Sequence, residues 1–239
     1  MRCFTAIFAW MLLGGVAYAA PQTTDIAVLT RHSTFPTVVA GNNCNNAVAG
    51  PVGTLACTLP IPVSSGDKAF VVVGTTNPTA PVSAASDKGD SCGAVLDTVS
   101  TIYKSVDFFC SSLTAGASTI TVTLGGSSSF DDMIVTVYRN TSGVDVHTAA
   151  SQTTPGTATD AVSSGNVTTT KANDLLVGTV LGYTATGTFA VGTSYTLDLS
   201  LSIGSSEHFF TPGPVTKAAT FTASSTSVSS NTFLVALKP

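Results

Sequence analysis

The residues best suited to acid–base chemistry lie side by side at Glu207-His208, directly before two phenylalanines. Glu207 is the only glutamate in the chain. Cleavage of a glycosidic bond needs two carboxyl groups a few ångströms apart, one of them with a raised pKa. Asp131-Asp132 or Asp198 could supply the second group. The alternative is an ordinary half-exposed strand in which polar side chains alternate with core side chains, and the local pattern favours that strand.

Asp87 and Asp90, with Asp97 further along, could offer carboxylate oxygens to a calcium ion at one end of a β-sandwich. Calcium takes about six to eight oxygen ligands, and the spacing of an EF-hand loop is missing here. Structural calcium at Asp87 and Asp90 is therefore an expectation that needs further ligands. No other cofactor is predicted.

Gly89-Asp90-Ser91 resembles the nucleophile block of one class of serine esterases. A nucleophilic serine needs a base and a group that orients this base, and no Asp-x-x-His arrangement follows. The segment is better explained as a polar turn. Walker and Gly-x-Gly-x-x-Gly motifs are missing from the sequence. These observations favour a protein that is not an enzyme.

The first twenty residues have the features of a signal peptide. Arg2 precedes an apolar run over residues 6–16, and Ala17 and Ala19 form an A-x-A site, which predicts cleavage after Ala19 or Ala20. The apolar run is too short to cross a bilayer as a helix, and no later segment is long and apolar enough. We therefore expect a secreted or cell-surface protein with no membrane contact after cleavage.

Four cysteines remain after cleavage, and an even number in an exported chain predicts two disulfides. Three pairings are open. We favour Cys44–Cys57 and Cys92–Cys110, because each pair brackets a plausible hairpin. In the chain-entropy model each such loop contributes about 3 kcal/mol. A zinc site is the alternative, but no Cys-x-x-Cys spacing occurs and the three histidines lie far apart.

The composition predicts an all-β fold. Hydrophobic residues make up 44% of the chain and charged residues only 9%. Runs of valine, isoleucine, threonine and aromatic residues alternate with turn residues, and sustained helical periodicity is absent. The formal net charge is −4 and the basic residues are scattered, so no nucleic-acid groove is expected.

Two similar series of strands follow one another. Each opens on an aspartate before an apolar strand, at Asp67 and at Asp174, and each closes on a threonine-alternating strand and an apolar strand. This repeat predicts a jelly-roll or Greek-key-type sandwich built from two halves. Two separate small sandwiches are the alternative, and convergent composition without duplication is a third explanation. The predicted organisation is a signal peptide at 1–20, N-terminal strands with a disulfide hairpin at 21–61, and a sandwich at 62–239, with halves 62–147 and 161–239 and a linker at 148–160.

The turns and strand starts of the chain resemble a poorly characterised group of β-sandwich modules from exported bacterial proteins and phage structural proteins. The segments that carry the resemblance are Ser65-Gly66-Asp67, Ser86–Asp90, Tyr138–Gly143, Thr168–Gly178 and Phe233–Pro239. Members of the group usually have an acidic residue and an aromatic residue before Ser142-Gly143. Tyr138 fits that pattern, whereas Arg139 and Asn140 depart from it. The resemblance implies a fold and no catalytic residue.

The leading functional hypothesis is a non-enzymatic extracellular module, either a surface or virion structural subunit or an adhesion-type binding domain. The alternative is a carbohydrate-binding or weakly carbohydrate-active module, with Tyr138, Glu207 and His208 as the ligand-binding candidates. The expected partners are further copies of the chain or a cell-surface glycan. If fibres form, exposed edge strands are the expected contacts.

Overall fold

The computed structural model describes residues 35–46, 52–59, 61–76, 79, 81–93, 97–100, 103–128, 131–154, 160–183, 188–201, 203–224 and 228–239. These residues form β-strands and connecting turns, and none of them is helical. No helix that could cross a membrane occurs among them. The all-β prediction is confirmed, whereas the predicted signal peptide, with Ala19 and Ala20, lies outside the described residues.

The first half of the chain forms two sheets that pack against each other. Its strands are β1 (Thr37–Asn46), β2 (Val52–Thr58), β3 (Lys68–Thr75), β4 (Ser83–Ser86), β5 (Ser91–Cys92), β6 (Thr98–Ser100), β7 (Lys104–Cys110), β8 (Thr119–Ser128) and β9 (Asp131–Arg139). The larger sheet has the order β1-β9-β3-β7-β6 and the smaller sheet the order β2-β8-β4-β5. If the short edge strand β6 is left out and the remaining strands are renumbered 1 to 8 along the chain, the larger sheet has the order 1-8-3-6 and the smaller sheet the order 2-7-4-5. This is the strand order of a jelly roll.

The second half repeats this arrangement. Its strands are β10 (Gly143–Thr154), β11 (Asp160–Ser163), β12 (Val167–Thr168), β13 (Leu175–Gly182), β14 (Phe189–Val191), β15 (Thr196–Ser200), β16 (Gly204–Phe210), β17 (Thr216–Lys217), β18 (Thr220–Ala223) and β19 (Val228–Lys238). The order β10-β19-β13-β16-β15 matches the larger sheet of the first half position by position. Opposite it lie the sheet β11-β18-β14 and the pair β12-β17.

Backbone hydrogen bonds show that the two halves are equivalent residue by residue at their first central strands. The amide of Leu113 donates to the carbonyl of Asp67 at 2.7 Å, and the amide of Thr211 donates to the carbonyl of Asp174 at 2.9 Å. Lys68 lies opposite Tyr138 in the first half, as Leu175 lies opposite Leu237 in the second. Asp174 is therefore the counterpart of Asp67, and Lys238 is the counterpart of Arg139.

Each half is a complete sandwich with its own core, and a third core joins the two. The first core contains Val71, Ile120 and Val135, and the second contains Leu176, Phe221 and Leu234. The third core lies between the two five-stranded sheets and is built by the side chains that these sheets turn away from their own sandwiches. We call this third core the seam; its members are Phe70, Val72, Phe109, Ile134, Tyr138, Leu175, Val177, Leu181, Phe233, Val235 and Leu237. The two halves use equivalent strands in the seam. β1 of the first half contacts β15 of the second, and their counterparts, β10 of the second half and β6 of the first, also contact each other.

The predicted boundaries differ from the observed ones. The two halves are two jelly rolls and not two parts of one, and the second begins at Gly143. Residues 148–154 of the predicted linker belong to β10, where they pair with β19, and Asp160 already begins β11; residues 155–159 lie outside the described chain. Threonine and alanine suggested a loose linker, but a threonine-rich segment pairs well once an apolar strand such as β19 lies beside it. The N-terminal segment is likewise part of the first sandwich, since β1 pairs with β9 and β2 with β8.

Candidate functional site

Glu207 lies on β16, opposite Gly178, and points into the second sandwich. Its side chain is fully buried. One oxygen accepts a hydrogen bond from the Gly192 amide at 2.8 Å and the other from the Thr220 amide at 3.2 Å. Burial raises its pKa to about 7. The carboxylate thus fastens β16 to the turn after β14 and to β18, and no surface of it faces solvent.

His208 points away from Glu207, because successive side chains of a strand face opposite sides of the sheet. Its Nδ1 atom lies 2.5 Å from Oδ1 of Asp198, at the bulge of β15. Tyr138 is buried in the seam, where burial and the charge of Asp198 raise its pKa well above the usual value. The charge of Asp198 also contributes to the raised pKa of Glu207.

The three predicted ligand-binding residues therefore lie near Asp198, but they do not form an open site. These residues are Tyr138, Glu207 and His208. Tyr138 and Glu207 have no exposed surface, and they lie on opposite sides of the sheet that contains β16. Asp131-Asp132, the other acids suggested as partners of Glu207, lie on β9 of the first sandwich. No observation among the described residues favours a sugar platform or a pair of catalytic acids.

Asp87 and Asp90 flank the turn after β4, and each carboxylate accepts three hydrogen bonds. Asp87 accepts from the amide and the hydroxyl of Ser118 and from the amide of Thr119. Asp90 accepts from the amide and hydroxyl of Thr114 and from the Ser86 hydroxyl. The Ser118 and Thr114 amides are the main causes of the lowered pKa of the two aspartates. The two carboxylates fasten the turn to the loop before β8, and calcium at this place remains an expectation.

The cysteines pair as predicted, Cys44 with Cys57 and Cys92 with Cys110. Neither disulfide closes a hairpin, however. Cys44 lies on β1 of the larger sheet and Cys57 on β2 of the smaller one, and Cys110 on β7 faces Cys92 on β5 in the same way. Both disulfides therefore link the two sheets of the first sandwich, and the short sequence separation that suggested a hairpin reflects a chain that alternates between sheets.

The sequence did not reveal the polar groups that are buried between the sandwiches. The Tyr183 hydroxyl hydrogen-bonds with the Ser105 hydroxyl, and the Asn231 side-chain amide donates to the same Ser105 oxygen at 2.7 Å. A Cβ atom at Gly74 would lie 1.8 Å from the Tyr183 hydroxyl oxygen. Gly74 is thus the position where a tyrosine of the other sandwich is accommodated.

The burial of two carboxyl groups of the first sandwich was not predicted from the sequence either. Asp107 accepts a hydrogen bond from the Asp97 amide at 2.6 Å, and burial raises its pKa to about 8. Asp132 accepts from the Asn43 side chain at 2.6 Å, and burial raises its pKa to about 7. An aspartate in an alternating strand indicates a solvent-facing position, but here a second sandwich covers that face.

No protein-family model matches the chain, and no curated protein matches it. Among solved structures it is similar to the crystal structure of the major capsid protein P2 from bacteriophage PM2. The match has 8% sequence identity and a TM-score of 0.28, and it covers 84% of this chain and 96% of that chain. Similarity of this extent says nothing about the function of the chain.

Proposed function

We propose that the protein is a non-enzymatic extracellular structural subunit that assembles with further copies of itself on a cell or virion surface. The groups that suggested catalysis or metal binding have structural partners, which supports this proposal. Glu207 holds two backbone amides inside a core, and Asp87 and Asp90 fasten a turn. Two disulfides suit an oxidising compartment outside the cytoplasm.

The observation that carries the proposal is the outer face of the sheet β2-β8-β4-β5, which we call the threonine face. Thr54 lies opposite Thr123, Ala56 opposite Thr121 and Thr58 opposite Thr119. All six side chains are exposed or half-exposed, while the residues between them, such as Leu55 and Val122, are buried. The result is a regular surface of short methyl and hydroxyl groups without a charge among these six residues.

A surface of this kind is suited to packing against another copy. Short side chains lose little rotational freedom when they are immobilised, and no charge has to be removed from water. Lysine and glutamate, which would oppose such contacts, are depleted at natural interfaces. Burial of the threonine face against another copy would therefore cost little side-chain entropy and no desolvation of charge.

Three edge strands are less suited to assembly. Register shifts place extra residues in β1, β10 and β15, and these three are edge strands of their sheets. Bulges at an edge disturb the row of free backbone groups and oppose pairing with another strand. Assembly through faces therefore replaces the earlier expectation of contacts through edge strands.

The test is the mass of the purified mature protein over a wide concentration range, by light scattering coupled to gel filtration and by negative-stain microscopy. We expect multimers for the wild type and their loss in Thr121→Lys, which places a charge in the threonine face. Thr222→Lys, on the exposed side of β18, is the matched control and should assemble normally. A wild type that stays monomeric at all concentrations, or equal assembly of both variants, would contradict the proposal.

A further inference from the structure

Two buried aspartates of the first jelly roll lie in the seam and face the second jelly roll. Asp107 on β7 lies opposite Val72, a member of the seam. Asp132 on β9 lies opposite Gly74, where Tyr183 of the second jelly roll approaches. Residues directly opposite each other in a sheet share a face. The contact between the jelly rolls therefore encloses both carboxyl groups, and the two aspartates are 0% and 1% exposed.

Both carboxyl groups are held by neutral hydrogen-bond donors. Asp107 accepts a bond from the Asp97 amide at 2.6 Å. Asp132 accepts a bond from the Asn43 side chain at 2.6 Å, and the Met133 amide also favours its charged form. The ion pairs within the described part of the chain involve other carboxylates. Neutral donors compensate the burial of a charge only in part, so the ionised form of each aspartate is disfavoured in the seam.

The titratable groups that face the two aspartates do not supply a compensating charge. Asp97 lies beside Asp107, and its own carboxylate lies 2.8 Å from Nδ1 of His147 on β10. The charge of Asp97 adds to the effect of burial, and the pKa of Asp107 is about 8. Tyr183 faces Asp132, whose pKa is raised by burial to about 7. Both aspartates are thus neutral in mildly acidic solution and ionised in mildly alkaline solution.

The cationic side chains of the first larger sheet lie away from both aspartates. Lys68 and Arg139 are at the ends of β3 and β9 that are remote from Asp132. Lys104 precedes Asp107 by three residues on β7, so its side chain points to the opposite face of the sheet. The main causes of the two raised pKa values also include none of the other titratable side chains in the larger sheet of the second jelly roll, which are Asp145, Asp198, Glu207, His208 and Lys238.

The two jelly rolls have the features needed to move apart as intact bodies. Each has its own core, and both disulfides lie within the first jelly roll. Residues 140–142 join the two, between the end of β9 and the start of β10. Asn140 and Gly143 have φ angles of 57° and 147°. A few residues at the end of an element can absorb the backbone rotation of a domain movement.

We propose that the seam is a pH-sensitive contact, in which deprotonation of Asp107 and Asp132 shifts the protein from a closed form to an open form. In the open form both jelly rolls stay folded, residues 140–142 connect them, and water hydrates the two carboxylates. The closed form is favoured at low pH and is lost as the pH rises through the raised pKa values. This inference does not depend on the proposed assembly of the protein.

The size of the effect follows from proton linkage. If both carboxyl groups have their ordinary pKa in the open form, the equilibrium constant for opening increases about 100-fold through Asp107 and about 10-fold through Asp132 between pH 6 and pH 9. The two factors multiply to about 1000-fold. The experiment therefore has to measure opening over this pH range and to distinguish it from unfolding.

The experiment uses the labelling of single introduced cysteines by iodoacetamide in the mature protein. Val235 is buried in the seam, and its neighbour Ala236 is buried in the core of the second jelly roll. The thiol of Val235→Cys reacts when the seam opens, whereas the thiol of Ala236→Cys reacts only when the second jelly roll unfolds. After correction for the thiolate fraction, labelling of Val235→Cys should accelerate by about 1000-fold from pH 6 to pH 9. Labelling of Ala236→Cys should stay slow.

Asp107→Asn and Asp132→Asn, combined with Val235→Cys, should remove most of this acceleration, because the amides keep the shape of the side chains and cannot ionise. Val177→Cys, which lies opposite Val235 in the seam, replaces Val235→Cys if that variant does not fold. Three results would overturn the proposal: labelling in the seam that does not depend on pH, equal acceleration at residue 236, or acceleration that persists in the asparagine variants.

Discussion

At Gly74 the packing of the two sandwiches leaves no room for one additional carbon atom. The Tyr183 hydroxyl occupies the place of the missing side chain, and it bonds with Ser105 on the neighbouring strand β7. Gly74 therefore permits the close approach of Tyr183 from the second jelly roll.

We predict that Gly74→Ala destabilises the protein by about 1–3 kcal/mol, because overpacking forces Tyr183 out of its position. The free energy of unfolding in urea measures this effect. Gly53→Ala is the control, since nothing lies within 4 Å of the added Cβ there. Equal stability of the Gly74→Ala variant and the wild type would show that the seam adapts without cost.

Glu207 illustrates how an acid with a raised pKa can be mistaken for a catalytic group. The raised pKa results from burial, and the two backbone amides that it holds are structural partners. Residue type and position pointed to Glu207, but accessibility, which catalysis requires, follows from the strands packed over it.

At the scale of elements, the two disulfides belong to the first jelly roll alone. Each joins a strand of the larger sheet to a strand of the smaller one, across sequence separations of 13 and 18 residues. From residue 143 onward the chain contains no cysteine. The second jelly roll must therefore keep its sheets together by packing and hydrogen bonds.

Reduction should accordingly affect the two halves unequally. In the chain-entropy model each disulfide contributes about 3 kcal/mol, and we expect dithiothreitol to increase amide hydrogen exchange in β1–β9 much more than in β10–β19. The second jelly roll serves as the internal control. The same loss of protection in both halves would mean that they unfold as a single unit and that the disulfides stabilise the pair.

At the scale of the whole molecule, buried carboxyl groups make stability depend on pH. The pKa is raised to about 8 for Asp107, about 7 for Asp132 and Glu207, and about 6 for Asp174, in each case chiefly by burial. A raised pKa in the folded state contributes stability that is complete below the unfolded pKa and is lost as the pH rises through the folded pKa. The lowered pKa of Asp87 and Asp90 acts in the opposite sense and costs stability only when the pH falls below their usual range.

We therefore predict a stability maximum near pH 4–5 and a loss on the order of several kcal/mol by pH 8–9. Melting temperatures over pH 3–9 measure it. Asp107→Asn removes the group with the highest of these pKa values while keeping its shape, so its melting temperature should fall less between pH 6 and 9. A wild-type melting temperature that increases from pH 5 to 8 would contradict the prediction.

The sequence alone determined the properties that depend on local pattern. Strand alternation indicated the all-β class, the aspartates at 67 and 174 marked equivalent central strands of two similar halves, and short separation indicated the cysteine pairs. Each follows from side-chain period, turn chemistry or loop closure, which act over a few residues.

Only the tertiary structure decided whether protein or solvent covers the outward faces of the two larger sheets. Alternation shows that a strand has two different faces, but it cannot tell whether water or a second sandwich covers each one. Packing of the larger sheets against each other buried Asp107, Asp132 and Tyr138, made Gly74 a contact point, and left β2-β8-β4-β5 to present the threonine face. The repeat was visible in the sequence, but Arg139 and Lys238 could be recognised as counterparts only from the register of the two larger sheets.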